Sequence, residues 1–403
     1  MKMNIDLNCI NDIPINTICF SDDGKTLYGF SKYYNEFFEI DLLNNKMRSL
    51  GKLENEKDVM DLVFLMIYYD KKIIFIPRMA THMHIYDCHT GSQKKFQVDS
   101  ILNGETYSYC GFFYCIYGES LYLICRNPII ISKLDLKTWK LTFIKKYTQQ
   151  DTKLINLHNW IGKYAACFLI DSNELQLFDA EAEELKQVSL PEECNGFQAS
   201  FFDGVFVWIY HEEKSIIYKY DFSQQILYKW ILQFDGNNNG LYMTFRMFDG
   251  RLYLFPNKPN VYYQIKDNEI VTHTYQAIDN DICWIAGYDG KNLYFLCMKW
   301  DGNGACPNSA TRDLAEFTYR KLDLKDGTCM DIPFHTSDET EYKEILFKVA
   351  TSYASQFLEN MFRIEGSEYS FKDLLGMIVY ARINPKKQFS LEIGKQILHA
   401  IRK

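Results

Sequence analysis

Proline is scarce in this 403-residue chain, at 9, and no run of about eighteen apolar residues occurs in it. The first absence leaves extended segments unbroken. The second excludes a membrane-spanning helix, so no membrane partner is expected. A basic excess is also missing: 44 Lys and Arg stand against 52 Asp and Glu, for a net charge of −8. No global positive field gathers nucleic acid, and none is expected as a partner. The first residues, Met1-Lys2-Met3-Asn4-Ile5-Asp6-Leu7, lack an apolar core of the secretory type. The 12 cysteines include no Cys-x-x-Cys pair, which removes zinc-ribbon and thioredoxin readings. Cys19, Cys115, Cys125, Cys167, Cys283 and Cys297 sit in apolar strand-like segments and read as free thiols, so a reducing, cytoplasmic location is expected. Gly-x-Ser-x-Gly, Walker and His-Glu-x-x-His motifs are absent as well.

What the chain has in excess is aromatic surface. Phe, Tyr and Trp make up 16% of it, with 29 Tyr and 29 Phe. Such side chains fit a pleated, half-buried sheet. A hairpin signal also recurs roughly every 40–47 residues. It runs Asp23-Gly24, Asp70-Lys71, Gly118-Glu119, Gly162-Lys163, Asp203-Gly204, Asp249-Gly250 and Asp289-Gly290, each between apolar segments. Asp-Gly in that setting demands positive φ and predicts a tight primed turn. A second signal keeps step: Asp41, Asp87, Asp135, Asp179 and Asp221 each close an apolar strand sixteen or seventeen residues on. Asp323 is the last copy, after an insertion, and the sixth copy carries Gln264 instead. An Asp there is suited to capping the following turn through local hydrogen bonds.

Each unit parses as four strands, as in Val63–Tyr69, Lys72–Pro77, Met83–Asp87 and Lys94–Val98 of the second. Units of this size and content resemble the blades of kelch- and WD40-type β-propellers. The resemblance covers roughly residues 10–335 and lies in the pattern. The Gly-Gly pair of kelch repeats is not present, and no strand-c Asp is preceded by the Trp of WD40 repeats; the one Trp-Asp of the chain, Trp300-Asp301, falls on the seventh loop. It implies an all-β, seven-bladed propeller over residues 1–335, with the Ile5–Cys9 segment a candidate to supply a strand to the last blade. Past Pro333 the apolar period changes to 3.6. Residues 336–403 read as a helical C-terminal tail of three amphipathic segments, Glu341–Arg363, one from Ser370 and one from Ser390. Their apolar faces must pack on the propeller or dock a partner protein.

In this strand order the b–c and d–a loops share one face, where a rigid scaffold presents variable side chains. Tyr33 and Tyr34 on the first b–c loop and Trp300 on the long seventh loop are the aromatic candidates for partner contact. Arg78, Arg126, Lys258 and Arg312 are candidates to converge on a carboxylate or phosphate, and His82 is a further ligand- or partner-contact candidate on the same face. Asp301-Gly302-Asn303-Gly304 lacks the later acidic ligand of a calcium loop. His82-x-His84 places two imidazoles on one side of a strand, but the sequence shows no third ligand, so no metal or cofactor is expected. The reading is a non-catalytic propeller that recognises a protein or peptide through its loop face. The alternative is a propeller hydrolase or lyase acting on a sugar or peptide, with a small-molecule or glycan ligand.

Overall fold

The computed structural model describes residues 15–332, apart from 32–33, 106–111, 127–128, 148–153, 170–173, 195–198, 212–213, 233–242, 257–260, 267–268, 275–280, 300–316 and positions 45, 60, 162 and 222. The expected helical tail, the Ile5–Cys9 strand and the seventh-loop insertion lie outside the described residues. Within them the chain is an all-β propeller of four-stranded blades, and seven such sheets are present. Strands a to d follow chain order in every sheet. In the first blade they are Ile15–Phe20, Thr26–Ser31, Phe37–Asp41 and Lys46–Gly51. The second comprises Val63–Tyr69, Lys72–Pro77, His82–Asp87 and Gln93–Gln97, so strand c starts one residue earlier than the pattern predicts. Strand d also ends one residue early, because Val98 opens a single helical turn, Val98–Ile101, that buries both ends. Among the described residues no helix is long and apolar enough to cross a membrane.

Two compact units divide the chain. One contains blade one with most of blades two and seven, and the other contains blades three to six with the remainder of those two. In the first unit strand a of blade one touches strand a of blade two, and in the second the a strands of blades three to six touch in sequence. Strand a is therefore innermost. The cores lie between neighbouring blades. Phe30, Phe37, Val63, Ile73 and Phe75 join blades one and two, while Phe202, Ile209 and Tyr218 pack against Leu175 and Leu177 across blades four and five. Burial of this kind contributes about 25 cal/mol per Å² of apolar surface, and aromatic pairs such as Phe37–Phe75, centroids 5.0 Å apart, add their edge-to-face term.

The strand-c aspartates do what their position implies. Asp41 Oδ1 accepts from the N–H of Leu43 and Asn44, and Asp87 Oδ1 from His89 and Thr90. Asp135, Asp179 and Asp221 repeat the pattern with the residues two and three positions on. Four residues after the Asp the backbone turns left-handed, at Gly91 (φ 71), Trp139 (φ 57), Glu183 (φ 55), Gln225 (φ 57) and Gly327 (φ 74). Blade six corrects the sequence reading. Leu252 pairs with Ile265, which places Lys266 rather than Gln264 at the capping position. Gln264 lies inside the strand, with its Oε1 3.1 Å from His273 Nε2.

Two kinds of a–b turn recur among the described residues. Blades two and six have the expected primed geometry, with positive φ at both Asp70 and Lys71 and at both Asp249 and Gly250. In blades five and seven only the glycine is left-handed, and the Asp carboxylate closes the turn instead. Asp203 Oδ1 accepts from Val205 and Phe206, and Asp289 Oδ1 from Lys291 and Asn292.

Candidate functional site

On the b–c and d–a loop face, blades one and two form a polar cluster. Its foundation is Asn35, which is 1% exposed. The Asn35 amide donates to Leu53 O at 2.9 Å and Glu56 O at 3.1 Å, and its Oδ1 accepts from Leu53 N at 2.8 Å. Three bonds from one side chain fix residues 53–56 of the d–a loop. They carry the Glu56 carboxylate to the start of strand c of blade two.

Glu56 then holds the next loop. Its Oε2 accepts from Thr81 N at 2.9 Å. Oε1 faces Thr81 Oγ1 at 3.0 Å, His82 N at 2.8 Å, His82 Nδ1 at 3.0 Å and His84 Nε2 at 3.2 Å. The carboxylate side chain is 2% exposed and that of His84 0%, while His82 retains 19%. Burial alone would raise the Glu56 carboxyl, but the bonds from His84, Thr81 and His82 outweigh it and bring it down to about 2. Period-2 alternation places His82 and His84 on one side of their strand, as the sequence implies. The missing third group, Glu56, comes from a loop 26 residues earlier with no marking spacing, and only the fold brings it there.

The other sequence candidates separate. Tyr34 is 1% exposed and belongs to the core, so it is no partner contact. Burial pushes its phenol well up. Arg78 faces Asp61 across 3.7 Å rather than an open anion site, and three successive N–H groups, of Arg78, Met79 and Ala80, point at Leu62 O. Arg126 ends strand b of blade three, opposite Ile129. The Arg126 side chain, and all of Tyr33, Lys258, Trp300 and Arg312, lie outside what the structure describes.

Two features escaped the sequence reading. One is the outer strand of blade five, Ile226–Ile231, where Ile226, Tyr228 and Ile231 are 39%, 42% and 72% exposed. Tyr228 stacks on Trp230, Trp230 on Trp208, and Lys219 Nζ sits 3.9 Å from the Phe206 ring centroid. The indole N–H of Trp208 is anchored on Asp203 Oδ2 at 2.7 Å. The other is Arg246 on the innermost strand of blade six. Its Nη1 donates to Phe245 O, and it has no carboxylate partner among the described residues. Burial lowers its guanidinium to about 10.

No family model matches the chain, and no curated protein matches it. Solved structures resemble it in fold. A catalytically inactive histidine-to-alanine variant of virginiamycin B lyase from Staphylococcus aureus, with quinupristin, is 13% identical over 72% of this chain and 94% of its own, with a TM-score of 0.51. Hsv2 of Kluyveromyces lactis is 10% identical over 80% of this chain and 98% of its own, TM-score 0.45. The WD40 domain of SCAP from fission yeast is 9% identical over 80% and 87%, TM-score 0.45. The likeness to the lyase shows the β-propeller fold alone.

Proposed function

We propose that this chain is a non-catalytic, seven-bladed propeller that binds a protein partner, and that an extended segment of the partner adds to the outer strand of blade five. The observation that carries this reading is the exposed apolar character of Ile226, Tyr228 and Ile231 on a strand that ends its sheet. Outer strands are ordinarily blunted by charge, because their unpaired N–H and C=O groups invite another chain. Blade one carries Lys46 and Arg48 there, blade two Lys94 and Lys95, and blade four Glu184 and Lys186. Blade five offers only Lys229 among Ile, Leu, Tyr and Trp. Main-chain pairing would supply affinity and the alternating side chains specificity. The reading moves the contact from the loop face to the rim, because Tyr34 is buried and Arg78 is paired.

The test is affinity capture with the full chain, followed by hydrogen exchange on the purified complex. Protection of amides 226–231, and loss of the partner in Tyr228→Glu/Ile231→Glu but not in Lys186→Glu, supports the proposal. A captured partner that leaves 226–231 unprotected and binds all three forms equally overturns it. Arg246 favours a second reading, an anionic small ligand held by the innermost strand of blade six as in a propeller hydrolase or lyase. Ligand-induced stabilisation lost in Arg246→Met is its signature.

A further inference from the structure

We propose that Glu56, His82 and His84 form a binding site for a zinc-class divalent cation, with Glu56 Oε1, His82 Nδ1 and His84 Nε2 as ligands and water in the fourth position. The three atoms lie within 4.8 Å of one another. Both imidazole nitrogens approach the same oxygen, at 3.0 and 3.2 Å. A tetrahedral site with bonds of about 2.0–2.1 Å separates its ligands by about 3.3 Å, so these two edges need only a few tenths of an ångström.

Hydrogen bonding alone accounts poorly for this convergence. Glu56 Oε1 faces four donors, namely Thr81 Oγ1, His82 N, His82 Nδ1 and His84 Nε2, and a carboxylate oxygen has two lone pairs to offer them. Thr81 Oγ1 also lies 2.8 Å from His82 Nδ1, so the hydroxyl and the imidazole compete for one proton arrangement. A cation at the centre uses the same geometry with all three groups as lone-pair donors. His82 N–H on Oε1 and Thr81 N–H on Oε2 then remain as the outer hydrogen bonds of the carboxylate, with one lone pair of Oε1 left for the metal.

The donor set selects the metal. Two imidazoles and one carboxylate suit zinc, cobalt, nickel or copper, whereas calcium and magnesium require oxygen ligands throughout. The site is also built in advance. His84 and Glu56 are almost fully buried, and Asn35 fixes the loop that delivers Glu56. His82, at 19% exposure, leaves the entry side. One outer contact is missing: His84 Nδ1 is buried with no hydrogen-bond partner among the described residues. Metal on Nε2 leaves the ring proton at that atom, so affinity is set about 10–100-fold below a site in which both histidines are supported.

The experiment uses the full-length, tag-free chain stripped with a chelator and titrated with zinc against a chromophoric competitor, with cobalt as the optical probe. The expected result is one tightly bound zinc per chain that His82→Ala and Glu56→Gln each remove or weaken at least about tenfold. Cobalt gives visible bands of a tetrahedral nitrogen and oxygen site, without thiolate charge transfer, and zinc displaces it. His82→Ala keeps His84 in the core, and its far-ultraviolet circular dichroism confirms folding. Equal affinity in wild type, His82→Ala and Glu56→Gln overturns the proposal and places the metal elsewhere on the chain. No binding of zinc or cobalt by the folded wild type overturns it equally and leaves the cluster a hydrogen-bonded brace.

Discussion

Replacing Asn35 tests whether hydrogen bonding or mere shape holds the d–a loop of blade one. Its side chain makes three bonds to main-chain groups, and both Asn35 and Leu53 are 1% exposed. A buried bond contributes about 1 kcal/mol net, and an orphaned buried group costs about 1–3 kcal/mol. Asn35→Ala strands Leu53 N–H and Leu53 C=O, while the Glu56 carbonyl lies closer to solvent and recovers water. The expected loss is about 2–4 kcal/mol, read from urea unfolding followed by tryptophan fluorescence. Asn35→Asp sharpens the test. The shape is unchanged, but an oxygen replaces the amide nitrogen and faces two carbonyls, so this variant should lose at least as much as the alanine. If Asn35→Asp costs less than about 1 kcal/mol at neutral pH, the loop is held by packing and the reasoning fails.

Further outcomes follow from single residues. Gln225 is exposed at φ 57, so Gln225→Gly should stabilise the chain by about 0.5–1 kcal/mol in the same denaturation assay. Asp135→Ala removes two N–H bonds and the Thr138 hydroxyl bond, and a drop of about 1 kcal/mol is expected; a neutral result would mean water caps the turn equally well. Trp208→Phe keeps the ring stack on Trp230 but loses the bond to Asp203, and chemical denaturation should register about 1 kcal/mol. Burial would raise the Asp289 carboxyl, yet bonds from Asn292, Lys291 and Tyr294 hold it below its ordinary 3.8. A depressed folded value means its stabilisation is full above the unfolded value and fades as pH falls through the folded one. Stability followed from pH 5 downwards should therefore fall less steeply in Asp289→Asn.

The blades were legible because their signals are local. An Asp that bonds N–H groups two and three residues on leaves its mark within five residues, and periodic apolar strands mark the rest. Glu56 was illegible for the opposite reason. Its role comes from a meeting of two loops, and nothing near it in sequence distinguishes it from a solvated loop acid. Tyr34 misled because an aromatic on a loop looks the same whether it points outward or inward, and only the blade-one core decides. Gln264 misled by one signal standing in for another: the ladder, not residue type, fixes the capping position. Exposed Ile231 and Tyr228 escaped notice because an apolar outer strand has the same alternation as a buried one.

The aspartate-closed corners also bear on how the chain folds. The c–d turns after Asp87, Asp135 and Asp323 make hydrogen bonds that span no more than about five residues, so closing such a hairpin costs little loop entropy and proceeds on the microsecond scale of hairpins. Pairing between neighbouring blades spans forty residues or so and must come later. Nascent blades emerging one by one can therefore fix the register of their outer strands before any inter-blade core exists. For blade five this early order has a cost: its apolar outer strand is complete, and sticky, while the rest of the chain is still being made.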